Sequence, residues 1–129
     1  MNRNLLIAGA FFGMIGIIIG AFAAHGLKPL LTAENMLTFE TGVKYQMYSA
    51  LFMLVLGGLP MVPEKVKKAC FYLTVTGILF FSGSIFLLAT NSLSSFDFRV
   101  IALITPAGGT LLISAWIVLL ISVIKLKKK

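Results

Sequence analysis

Four stretches of this 129-residue chain contain no aspartate, glutamate, lysine or arginine: residues 4–27, 45–63, 69–96 and 100–124. The eleven basic and four acidic residues are all confined to the short segments between them and at the two ends. An α-helix needs about 20 mostly apolar residues to cross a hydrocarbon core of roughly 30 Å. Only 12% of residues are charged and the mean hydropathy is +1.02, whereas a soluble domain carries roughly 25% charged residues. A soluble enzyme domain, a disordered tail and a nucleic-acid module are thereby excluded. What is left is a multi-span membrane protein.

The stretches predict an all-α integral membrane fold, a bundle of four transmembrane helices forming one domain, with spans near 5–24, 43–59, 69–90 and 105–124. The first apolar run is longer than the 7–15 residues of a signal-peptide core, so it reads as a retained span despite Arg3 and the small-x-small triplet at 21–23. Residues 45–59 are too few to cross, so the second helix starts earlier, with Thr32 as N-cap and Glu34 near its positive end. Its first half mixes Met36, Leu37, Phe39 and Val43 with Glu34, Thr38, Glu40 and Thr41, the pattern of an amphipathic interfacial segment before helix 2. Thr105 and Pro106 read as the N-cap and first residue of the fourth helix, after an interfacial lead-in at 96–103.

The net charge of +7 describes topology rather than an acidic partner, because cytoplasmic loops are enriched in Lys and Arg. With four spans, Arg3, then Lys65, Lys67 and Lys68, then Lys125, Lys127, Lys128 and Lys129 share one side. Lys28, Lys44 and Arg99 lie on the other and are outnumbered. Both termini are therefore expected in the cytoplasm, in the cell (inner or plasma) membrane.

In the first span Gly9, Gly13, Gly16 and Gly20 recur at intervals of four, three and four, which places them on one helix stripe. Helices in lipid associate through close backbone approach, which glycine permits, so this stripe marks a packed face, within the chain or in a homo-oligomer. Small residues in the third and fourth spans extend the same logic. Trp116 lies near the middle of its span and is expected in the core with a partner for its indole N–H.

Chemistry-bearing residues are few. His25 is the single histidine and Cys70 the single cysteine, so neither an internal disulfide nor a cysteine-based zinc site can form. No cofactor motif or nucleophile–base pair is present, and no span carries the internal charge typical of coupled transporters. The candidate site is a hydrogen-bonded cluster of His25, Glu40, Tyr45 and Gln46 at the outer mouth, with Asp97 and Arg99 arriving on the same side. Glu40 and Lys44 are spaced for a helix ion pair, and Thr41, Tyr45 and Ser49 form a polar row.

Four ordered motifs carry a resemblance: GAFAAHGL at 20–27, TFETGVKYQMYSA at 38–50, FSGS at 81–84 and ITPAGG at 104–109. Together they resemble the YgdD/YwdK-like small bacterial membrane proteins, a family of unknown function with transmembrane relatives in eukaryotes. The resemblance covers nearly the whole chain and implies a four-span inner-membrane protein, with no reaction, ligand or catalytic residue. Ala23 stands where that family often has Gly, and Ser49 where its tyrosine is usually followed by His. The expected role is a non-enzymatic scaffold, assembly or accessory component, in contact with the lipid bilayer and with a second copy or a membrane-protein partner. The alternative is a small-solute channel or carrier acting as an oligomer.

Overall fold

The computed structural model describes residues 2–93 and 102–126. Among these residues there is no strand. Helix α1 spans Arg3–Phe22, α2 Ala33–Gly57, α3 Glu64–Ala89 and α4 Ile104–Ile124. A π-helical turn, Ala23–Leu27, extends α1, and a 3-10 turn, Asn91–Leu93, follows α3. Asp97, Arg99 and the last three lysines lie outside the described residues, as does most of the expected interfacial lead-in.

The helix ends follow from local chemistry. The Asn2 side chain accepts from the Leu5 N–H at 2.9 Å, and Thr32 Oγ1 accepts from the Asn35 N–H at 3.1 Å. Each cap satisfies a donor that the first helical turn leaves orphaned. Glu34 and Glu64 occupy the first turns of α2 and α3, where the helix dipole favours negative charge. In α4 the expectation of a Thr105 cap gives way: Leu103 is the N-cap, and Thr105 is already helical. Pro106 stays within the first turn, where a missing N–H costs no hydrogen bond.

Among the described residues, three helices are long and apolar enough to cross a membrane: α1 with its π extension, α3 and α4. Helix α2 is equally long but falls short in apolarity, because its first half carries Glu34, Glu40 and Lys44. That first half is continuous with the rest of the helix rather than a separate interfacial segment. Its apolar face turns inward, where Met36 and Phe39 join Ala23, Leu27, Leu31 and Ala89 in a buried cluster. A larger cluster around Leu5, Phe52, Met53, Leu56, Cys70 and Ala115 closes the opposite end.

The helices pack in chain order, α1 on α2, α2 on α3 and α3 on α4. Glycines set the crossings. The stripe of α1 faces α2: a Cβ on Gly9 would lie 2.9 Å from the Ala50 carbonyl oxygen, and one on Gly16 2.6 Å from Met47 Sδ. Gly13 and Gly20 face Ala50 and Val43 of the same helix. The α3–α4 crossing is tighter still, because a Cβ on Gly108 would enter the α3 backbone, 2.7 Å from the Phe80 carbonyl carbon. Such approach gains dispersion contacts that larger residues would forbid.

These clearances separate two substitutions of the same kind. Gly108→Ala meets backbone that cannot yield, so it is expected to cost about 1–3 kcal/mol, as core overpacking does. Gly13→Ala meets only Ala50 Cβ at 3.7 Å, so it is expected to be neutral or to stabilise by up to about 1 kcal/mol through helix propensity. Thermal unfolding of both variants in detergent reads the difference directly.

Candidate functional site

The outer-mouth residues do not come together as a cluster. Tyr45 and Gln46 are neighbours on α2, and successive residues of a helix with 3.6 residues per turn point about 100° apart. Gln46 is buried and donates from Nε2 to the Phe12 carbonyl of α1 at 2.9 Å. Tyr45 turns to the other side, edge-on to Phe81 of α3 and to Tyr48, with ring centroids 5.3 and 5.6 Å away. His25 lies exposed in the π turn and Glu40 exposed on α2. Among the described residues no hydrogen bond joins the four, and no ion pair joins Glu40 to Lys44. The polar row does not form either, since Thr41 bonds back to the Leu37 carbonyl of its own helix.

Polar side chains are spent instead on holding neighbouring helices together. Gln46 ties α2 to α1. Ser82 donates to the Gly42 carbonyl at 2.8 Å and ties α3 to α2. The Cys70 thiol reaches the Ala115 carbonyl at 3.5 Å, and the Ser84 and Thr105 hydroxyls bond each other, tying α3 to α4. Carbonyl oxygens already engaged within a helix retain a second lone pair for such donors. Among the described residues, two buried side-chain atoms find no hydrogen bond: Thr74 Oγ1 and Lys67 Nζ. Lys67 is 0% exposed, with its ammonium 3.9 Å from the Glu64 carboxylate. Counted among the loop charges of the sequence, Lys67 shares a helix face with Cys70 and Thr74 at i, i+3 and i+7. That spacing was the available signal of its burial.

One concave feature among the described residues is wide and apolar. Helix α4 leans mainly on α3, so a groove of about 1080 Å³ opens between α2 and α4. Tyr45, Tyr48, Phe52 and Val55 form one wall, and Ile113 and Trp116 the other, with Phe81 and Leu112 beneath. Trp116 is 54% exposed rather than in the core; its ring lies against Phe52 at a centroid distance of 4.5 Å, and its indole N–H has no hydrogen-bond partner among the described residues. The small residues Gly108 and Ala115 turn the other face of α4 toward α3, which leaves the indole on the groove side. The groove is suited to holding hydrocarbon or another helix by shape and dispersion. Its lining presents no charge for substrate chemistry.

Comparison with known proteins places these features in a family. The model of DUF423, a protein family of unknown function, matches residues 19–109. A UPF0382 membrane protein of Staphylococcus epidermidis is 38% identical, over 95% of this chain and 97% of its own length. A UPF0382 membrane protein of Staphylococcus haemolyticus is 36% identical with the same coverage. The UPF0382 inner membrane protein YgdD of Escherichia coli is 33% identical, over 99% of this chain and 95% of its own. No solved structure matches.

The hydrogen-bond arrangement generates a set of expected stabilities. Gln46→Leu removes the α1–α2 tie and is expected to cost roughly 0.6–2 kcal/mol, the range of interhelical bonds in membranes. Thr74→Val deletes an unpartnered hydroxyl and is expected to stabilise by about 1 kcal/mol. His25→Ala and Glu40→Ala, with no shared partner, are expected to add within about 0.5 kcal/mol in the double variant. Equilibrium unfolding in bicelles or detergent measures all of these.

Proposed function

Because the chain belongs to the DUF423 family of proteins of unknown function, we propose its role from its own geometry: a non-enzymatic membrane component that works by binding within the bilayer plane. The observation that carries this reading is the groove between α2 and α4, whose exposed aromatic and aliphatic walls are shaped to receive another molecule. The buried Gln46, Cys70, Ser82 and Ser84 serve helix-to-helix bonds, which supports holding over chemistry.

In this reading all four helices span. Helix α2 packs between α1 and α3, both apolar enough to cross, and its 25 residues reach about 37 Å at 1.5 Å each. The polar first turns of α2 then lie at one interface, with Glu40 and Lys44 reaching outward along their stems. Arg3, Lys65, Lys68 and Lys125 gather at the other end, which supports a cytoplasmic location for both termini. The names of the relatives in Staphylococcus and Escherichia coli support residence in the cell membrane.

Three measurements test the reading. A fluorescent protein fused after Lys129 is expected to glow, and a dark fusion beside an active phosphatase reporter reverses the topology. A photo-crosslinking residue at Ile113 is expected to give discrete adducts in native membranes, while one at Ile17, on the outer face of α1, gives only diffuse lipid labelling. Equal labelling from both positions would remove the groove as a binding face. Solute flux into liposomes above the empty-vesicle rate would replace holding by a channel or carrier.

A further inference from the structure

Two polar groups on the groove walls have nothing to bond to. Ser49, on the α2 wall, is 4% exposed, and its hydroxyl has no hydrogen-bond partner among the described residues. Unlike Thr74 Oγ1, that oxygen is not sealed inside the bundle but meets the groove. The Trp116 indole N–H, on the α4 wall, is equally unpaired. Elsewhere in the bundle the buried Gln46 and Ser82 reach across to a carbonyl of the neighbouring helix. Acyl chains would fill the groove by shape, but hydrocarbon neither donates nor accepts, and both groups would stay unpaired at a cost. The fitting occupant brings an acceptor for the indole, which only donates, and a donor for the hydroxyl, which also accepts. The groove of a second copy presents that pair.

We propose that two copies of this chain pair groove to groove about a two-fold axis along the membrane normal, Trp116 of each copy donating its indole N–H to Ser49 Oγ of the other. This deepens the reading of the groove as a binding face and rests on it. Depth supports the pairing. Contacts run from Gly42–Ile85 to Tyr45–Phe81 between α2 and α3, and from Ser84–Thr105 to Cys70–Ala115 between α3 and α4. Helices α2 and α4 are therefore both antiparallel to α3 and run in the same direction. The Trp116 ring lies against that of Phe52, and helical side chains lean toward the N-terminus of their helix, so both rings cover the level of Ser49, one turn back. A two-fold axis along the normal leaves depth unchanged, so each indole arrives at the level of the other copy's hydroxyl. An isologous contact makes the bond twice. Ser49 and Gly109 are the small residues of the two walls, and small residues are what admit a partner's helix closely.

Energy transfer between copies tests the pairing. The full chain, labelled at its N-terminus in separate batches with donor and acceptor fluorophores, is mixed in phosphatidylcholine vesicles and diluted with further lipid. Transfer above the random-collision level is expected, falling by half at a defined protein-to-lipid ratio. Trp116→Phe keeps a ring and removes the N–H, and Ser49→Ala removes the hydroxyl; circular dichroism verifies that both keep their helices. Each is expected to raise the ratio at half-dissociation about tenfold, because one substitution breaks two interhelical bonds per dimer. The double variant is expected to dissociate no more readily than either single one, the mark of a direct bond that a merely structural role would not leave. Single effects that add in the double variant, or no weakening in either, overturn the Ser49–Trp116 contact. In native membranes a photo-crosslinking residue at Ile113 of the otherwise unaltered chain is expected to give an adduct of twice the chain's mass. A discrete adduct of another mass overturns the pairing of copies and leaves the groove standing as a binding face. Diffuse lipid labelling alone overturns both.

Discussion

Close approach of backbones is the constraint on which the rest of this structure depends. In hydrocarbon, helices gain nothing from expelling apolar surface, so cohesion must come from dispersion and from hydrogen bonds that span the gap. Both require short axial separations, and the glycines supply them. The polar ties occur where glycine has drawn the helices together. Gln46 reaches the Phe12 carbonyl beside Gly16, and Ser82 reaches the carbonyl of Gly42 itself. Cys70 and Ser84 bracket the crossing of Gly77 and Gly108. Short side chains such as Ser and Cys have little reach, so each bond depends on the glycine near it.

The same principle explains why α4 leaves a groove. Its buried residues Gly108, Leu112 and Ala115 fall on one narrow stripe, while Ile113, Trp116, Ile117 and Leu120 are large and exposed. One stripe supports one neighbour. Helix α3, by contrast, is small or polar on two faces, offering Ser82 to α2 and Gly77 to α4. The open side between α2 and α4 is therefore written into the distribution of small residues, and the aromatic side chains around it fill the space that packing leaves.

Much of this architecture was legible in the sequence. The charge-free stretches located the helices, because burying backbone in lipid demands long uninterrupted apolar runs. The spacing of Gly9, Gly13, Gly16 and Gly20 marked one face of α1, and the structure sets that face against α2. Side-chain direction was harder to read. Tyr45 and Gln46 were grouped by polarity and depth, yet adjacent positions on a helix diverge, and one serves α1 while the other lines the groove. Trp116 was expected inside because it sits at mid-span, but depth along a span says nothing about azimuth around it. Lys67 was grouped with loop charges because of its neighbours Lys65 and Lys68, whereas its helix face is that of Cys70. Membership in the family of membrane proteins followed from four ordered motifs, which are tied to whole segments and not to any single orientation.

The capping of α1 links its beginning to elements made later. The Asn2 backbone N–H donates to the Gly57 carbonyl at 2.9 Å, and its side-chain amide donates to Glu64 at 3.1 Å. Those acceptors stand at the end of α2 and the start of α3, so neither exists when α1 first leaves the ribosome. The first helix therefore begins with its leading end untied, and the clasp closes only once the chain as far as Glu64, about its midpoint, has been made. The start of α1 is thus fastened by the end of α2 and the beginning of α3, a clasp that no residue of α1 can close alone.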